Sequence, residues 1–353
     1  MNDDENAKAG VSRESRSRGA IYGTFVADAL AMPVHWYYNR SALKKDYGHV
    51  RDYLEPQNPH PDSILWRSTY QPVNSKGEIL HDQAKYWGQR NIHYHQFLKA
   101  GENTLNVTLC RLVMESLIEE GGYDADEYVE RYIAFMTTPG SHRDTYVEEY
   151  HRHFFTQYAK GVSPRKCGVR EKHIGGLIGL VPIIVFYQEN PGKARSAALK
   201  HLALTHLGPR MEMAALLFVD VLLQVLGGKG LKQVILAKIQ RQETPLVGHP
   251  FLEWLQDPDE IVVGGRFSTA CYVEDSVPSV LYLALKYHDD PEGGLIANTN
   301  LGGDNVHRGA VLGALLGAEN GIEQLPERWT KGLRHPPPDL LPISQEDGPL
   351  YMP

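Results

Sequence analysis

The chain has 353 residues, 42% of them hydrophobic and 22% charged, which is the make-up of a folded globular protein with a sizeable core. Forty-three acidic residues outnumber 36 basic ones for a formal charge of −7, which excludes a general nucleic-acid binder and leaves room only for a local basic pocket. Cys110, Cys167 and Cys271 are too few and too scattered for a disulfide framework or a cysteine-built zinc site, and they point to a reducing compartment.

Residues 1–17 have no apolar run of the secretory kind and read as a disordered lead. The longest apolar run, Ile174 to Tyr187, contains Pro182 and is too short to span a bilayer, so the expectation is a cytoplasmic protein with no membrane partner. Helical periodicity begins with "RGAIYGTFVADALAM", from Arg18. Gly19, Gly23, Ala27 and Ala31 recur every four residues, a flat stripe that lets another backbone approach, and Pro33 ends the helix. From His35 to about Gly101 the chain is rich in proline and tryptophan and shows no clear period. The next helix, "TLNVTLCRLVMESLIEEGG", buries Leu105, Leu109, Leu112, Val113 and Leu117 and stops at Gly121 and Gly122.

"DADEYVERYIAFM" and "TYVEEYHRHFFTQYAK" continue the helical pattern, and "GGLIGLVPIIVFY" reads as a core helix kinked at Pro182. "KARSAALKHLALTH" and "PRMEMAALLFVDVLLQVLGG" follow, the second opening with proline in a favourable first-turn position. The one strand-like fragment is "EIVVGGRF"; after it, helices run through "VPSVLYLALKYHD" and the GALLGA segment. These elements predict a single compact all-α, multi-helix domain over residues 18–334, followed by a proline-rich tail over 335–353 that runs across the surface.

Chemistry concentrates in "NTNLGGDNVHRGAVLGALLGAENG", residues 298–321. Asp304 can be a helix N-cap or the floor of a pocket. Gly309, Gly313 and Gly317 fall on one helix face as a packing stripe. His307 and Arg308 place basic groups in a first turn, against the helix dipole, which calls for an anion nearby. The expectation is a pocket role for His307 and a salt bridge for Arg308.

Three helix starts, "GTFVADALAMP", "GENTLNVTLC" and "LGGDNVHRGAVLGALLGA", with "LTH" between the second and third, resemble the ADP-ribosylglycohydrolase family over most of residues 18–320. That family includes dinitrogenase reductase-activating glycohydrolases and some lens crystallins. The resemblance implies a compact all-α fold, two magnesium ions held between helix starts, and cleavage at ribose C1″ of an ADP-ribosyl group. The family's Thr-Asp-Asp-Thr start keeps Thr104 here, but its aspartates become Leu105 and Asn106. Its Gly-Gly-Asp-Thr-Asp-Thr keeps Asp304, while Val306 and His307 replace the second aspartate and last threonine. Asp28 survives in the first motif, His35 stands about where some members carry a catalytic glutamate, and a Gly-Asn-Gly motif is reduced to "HIGGLIGLVP".

Of the four ligand carboxylates that the resemblance implies, one survives, which does not make an octahedral pair of magnesium sites; no cofactor is expected, magnesium is left open by the resemblance alone, and any metal would fall to Asp304. The expected catalytic residues are Asp304, His307 and His35. Asn103, Asn106, Thr104, Asn305, Gly302, Gly303 and Glu102 are expected to line the substrate pocket. The favoured reading is a hydrolase of ribosyl N- or O-glycosidic bonds, acting on a small-molecule or ADP-ribosylated substrate. The alternative is an inactive relative with a ligand-binding or crystallin-like structural role. "HYH" (His93 to His95) and "HRH" (His151 to His153) have metal-like spacing but read as surface histidines, "SHRDTY" echoes a kinase loop without its partners, and Thr205 and His206 read as helix support.

Overall fold

A computed structural model describes residues 10–243 and 248–340. Its centre is a pair of helices from opposite ends of the chain, Arg13–Ala31 (α1) and, much later, Asn305–Asn320 (α14), in the most extensive helix–helix contact of the fold. The two small-residue stripes meet here. A methyl group added to Gly23 would overlap the Gly313 carbonyl, and one added to Gly19 would overlap that of Gly317. Every described residue of α14 is buried. Close backbone approach, available only without side chains, sets this crossing.

Around the pair lie Arg40–Tyr47 (α2), Leu105–Glu120 (α3), Ala125–Thr137 (α4), Glu149–Ala159 (α5) and Leu180–Phe186 (α6). Pro191–Leu202 (α7), Pro209–Leu226 (α8) and Leu231–Gln240 (α9) follow. Short turns Phe251–Trp254 (α10) and Asp259–Val262 (α11) precede Val273–Lys286 (α12) and Pro291–Asn300 (α13), and Glu327–Thr330 (α15) closes the series. One cluster of buried apolar side chains joins α1, α3, α6, α8, α12 and α14. Among the described residues the only sheet is two short parallel strands, Val169–Arg170 (β1) and His206–Leu207 (β2), paired Val169 to His206. No helix among the described residues is long and apolar enough to cross a membrane.

Several local expectations need correction. The first helix starts at Arg13, inside the stretch read as a disordered lead, because Ser12 caps it and buried Arg16 donates to the Ala318 and Glu319 carbonyls (both 3.1 Å). Residues 1–9 lie outside the described residues. "EIVVGGRF" is largely helical turn, with a single bridge between Val263 and Phe267. Pro182 does not kink a helix; it sits in the first turn of α6, where no intrahelical donor is needed. α5 starts at Glu149, later than its pattern suggests, leaving Thr145–Val147 outside the helix. In the tail, Pro337 and Leu340 are buried and Arg111 Nη1 donates to the Pro336 carbonyl at 2.9 Å, so residues 335–340 are fastened down; residues 341–353 lie outside the described residues.

Candidate active site

Asp304 occupies the N-cap position of α14 but makes no capping bond with its side chain. The carboxylate turns inward instead. Its Oδ1 lies 2.6 Å from His307 Nδ1, one helical turn ahead on the same face, and 3.0 Å from His35 Nε2. His35 arrives on the loop that Pro33 forces at the end of α1. Two backbone bonds lock that loop to the α14 start: Trp36 N–H to Gly303 O (2.8 Å) and Gly303 N–H to Tyr37 O (2.7 Å). Gly302 and Gly303 have φ of +68° and +64°, and a Cβ on either would strike Tyr37 or Thr269. Their function is therefore the close approach that brings residues 35 and 304 together.

A chain of buried polar groups extends from each side of Asp304. On one side His35 Nδ1 meets His95 Nε2 at 2.7 Å, with the rings nearly parallel, and His95 Nδ1 is bonded to Asp144. On the other, His307 Nε2 lies 2.6 Å from Asn106 Nδ2 and 3.5 Å from Glu148 Oε1. Asn106 Oδ1 accepts from the Tyr150 hydroxyl (2.8 Å) and faces His151 Nε2 (3.1 Å). The "HYH" and "HRH" motifs thus supply interior groups: His93, His95 and His151 are buried, and only His153 is exposed.

Burial resists charge on His307, but Asp304 and Glu148 outweigh it and lift the imidazolium to about 10. Burial likewise resists ionisation of Asp304, yet His307 and His35 hold its carboxyl well below the usual range. His35 goes the other way: burial pushes it down to about 3, so it is neutral near pH 7. A neutral His307 ring suits the Asn106 amide as it stands. The charged ring calls for the amide turned over, with Oδ1 toward Nε2.

His173, from the reduced "HIGGLIG" motif, adds a group that motif comparison does not identify. Its Nδ1 accepts the Gly175 N–H at 3.0 Å, and burial lowers its pKa to about 4. The ring is therefore neutral with its proton on Nε2. That N–H faces Asp304 Oδ2 across 4.0 Å, and both atoms are buried with no hydrogen-bond partner among the described residues. Tyr38 and Tyr272 are half exposed, at 50% and 52%; Tyr38 lies in the field of Asp304 and of Cys271, and Tyr272 pairs with His173 through the backbone.

The other expected site residues divide. Asn106 joins the cluster. Thr104 and Asn103 do not cap α3 and do not turn to Asp304; the Thr104 N–H and hydroxyl and the Asn103 amide all donate to Asp28, at 2.9, 2.6 and 2.9 Å, tying α3 to α1. Glu102 pairs with Arg143 and, with Asn103, lines a separate cavity of about 490 Å³ that Asp144 also borders. Asn305 donates to the Val34 and Thr299 carbonyls (3.2 and 2.8 Å) and braces the turn. Arg308 makes no salt bridge among the described residues; it donates to Asn298 Oδ1 and the Gly302 carbonyl (2.8 and 2.9 Å), fixing the glycine turn from beneath. His206 packs against Tyr150 in the interior.

Three likenesses bear on the family and the fold. A model of the family described as ADP-ribosylglycohydrolase matches residues 9–349. The ADP-ribosyl-[dinitrogen reductase] glycohydrolase of Rhodospirillum rubrum is 22% identical over 237 residues, which are 67% of this chain and 75% of that protein. A solved chain from an ADP-ribosylglycohydrolase-related protein complex superposes with a TM-score of 0.61 at 23% identity, covering 91% of this chain and 93% of the other.

Proposed function

The chain belongs to the ADP-ribosylglycohydrolase family, and on that premise we propose that it hydrolyses a ribosyl N- or O-glycosidic bond, in an ADP-ribosylated or nucleoside-like substrate, at Asp304. The observation that carries this reading is the pair of unpartnered buried atoms, Asp304 Oδ2 and His173 Nε2, 4.0 Å apart. Buried polar groups are normally satisfied. A water between them would accept from Nε2–H and donate to Oδ2, and so be held and polarised together.

Glycoside cleavage passes through an oxocarbenium-like state at C1″. In the proposed step the water oxygen bonds to C1″ as the bond to the leaving group breaks, and the water's proton passes to Asp304. The leaving group takes its proton from solvent beside Tyr38 and Tyr272. His307 and His35 have both ring nitrogens engaged by protein groups. They are best read as positioning residues that keep the carboxylate ionised and aimed, in place of the acid–base role expected of them.

The magnesium pair implied by the family fits these residues poorly. Leu105 and Val306 are buried apolar side chains where ligands would be needed. The Asp28 carboxylate is taken by Thr104 and Asn103, and Asn106 by His307 and Tyr150. No step above runs through magnesium.

The test is Asp304→Asn, assayed on ADP-ribosyl-arginine and ADP-ribosyl-serine conjugates. Loss of a positioned base lowers kcat by about 10²- to 10⁴-fold, with the fold retained by circular dichroism. Full turnover in the variant removes Asp304 from the mechanism.

A further inference from the structure

His35 Nε2 and His307 Nδ1 both point at a single atom, Asp304 Oδ1, from 3.0 and 2.6 Å. Two imidazole nitrogens and a carboxylate converging on one place form a ligand set suited to d-block dications. Donor atoms on neighbouring positions of one ion, each bonded at about 2.0–2.1 Å, lie roughly 3 Å apart. The two separations from Asp304 Oδ1 are of that size, and all three donor atoms lie within 4.8 Å of one another. We propose that His35, Asp304 and His307 bind one borderline divalent ion, zinc(II) or another of its class, in place of the hydrogen bonds they otherwise share. The proposal builds on the hydrolase reading of this site and departs from the paired magnesium of the family.

The surrounding hydrogen bonds make the case. Three bonds link Asp144 to His95, His95 to His35 and His35 to Asp304, and each needs a proton. Two neutral rings carry only two. With an ion on His35 Nε2 the third bond is no longer needed. The rest then runs in one direction: His35 Nδ1–H donates to His95 Nε2, and His95 Nδ1–H donates to Asp144.

His307 has the matching arrangement. With Nδ1 on the ion, its Nε2–H points to Glu148 Oε1 and, once the amide turns over, to Asn106 Oδ1. Each ligand histidine would thus end on a buried carboxylate, the outer-shell pattern that orients metal-bound imidazoles. Asp304 Oδ2 stays free for a water on the ion, held from the far side by His173.

His173, Cys271 and Asp304 also bring donor atoms within 4.8 Å of one another. His173 argues against that alternative. Its Nδ1 already accepts the Gly175 N–H, so Nε2 keeps its proton and has no lone pair for an ion.

The experiment uses the full chain, stripped with a chelator and titrated with zinc(II) and with magnesium(II) by calorimetry. The expected result is one zinc per chain, bound at least 100-fold more tightly than magnesium. His35→Gln should weaken zinc at least 100-fold, and Asp144→Asn about 10- to 100-fold. Cys271→Ala should leave affinity unchanged. Cobalt(II) in the unaltered protein gives a readout that needs no variant: visible d–d absorption without a thiolate charge-transfer band.

Absence of saturable zinc binding, equal affinity for magnesium, or a thiolate band in the cobalt spectrum each overturns the proposal. Turnover by a protein that shows no saturable zinc binding sinks the metal site and leaves the hydrolase reading standing. Zinc binding by a protein that turns over no ribosyl substrate does the reverse.

Discussion

Asp304 and Asp28 are both wholly buried carboxylates, yet burial has opposite outcomes for them. Asp304 faces imidazoles that hold it ionised. Asp28 is bonded to neutral donors from Thr104 and Asn103, and burial outweighs them, lifting its carboxyl to about 6. A folded value above the unfolded one means that Asp28 contributes stability in full below its unfolded pKa and loses that contribution as pH rises through about 6. The difference in stability between the natural chain and Asp28→Asn should therefore shift by roughly 2 kcal/mol between about pH 4 and pH 7. Urea denaturation at both pH values reads it, and a flat difference removes the assignment. His173→Gln should lower kcat at least tenfold with little change in KM, since it would hold the water and not the sugar; an unaltered kcat frees His173 of any part in the step. Asp304, His307 and Asn106 could be picked out from motif positions. His95, Asp144 and Glu148 could not, because spacing along the chain does not reveal that a loop histidine will be buried against another loop's carboxylate.

At the scale of elements, the glycine stripes of α1 and α14 decide the geometry. Where backbone meets backbone there is no side chain to move aside, so a methyl group must part the helices. Gly23→Ala is expected to cost about 1–3 kcal/mol, in line with overpacking of a tight core. Gly192→Ala is the control: its nearest neighbour beyond the adjacent residues is a side-chain oxygen at 3.6 Å, and loss of glycine freedom from the unfolded chain should leave stability equal or slightly higher. Equal effects of the two in chemical denaturation would show that the crossing tolerates separation. Both stripes were legible as packing faces, since i, i+4 spacing fixes a helix face. Helix ends were less legible. α1 begins early because Arg16 finds the carbonyls at the far end of α14, and α2 forms inside a segment without period because Asn39 caps it.

For the whole molecule, a substrate that binds only the folded state raises stability by about 2.7 kcal/mol at a hundredfold excess over its Kd. ADP-ribose should therefore raise the melting temperature, and added magnesium should not enlarge the shift. A shift that depends on magnesium would restore the family's usual metal pair and require the bonds that occupy Asp28 and Asn106 to open. The sequence by itself determined the all-α class, the close-packing stripes and which residues stand at the three helix starts, since composition, periodicity and side-chain chemistry are local properties. Only the tertiary structure decided that the carboxylate at the start of α14 faces inward to His35 and His307, with His173 across a gap from its free oxygen. Those partners lie up to 269 residues apart along the chain, and they meet because two left-handed glycines let one loop press against another helix's first turn.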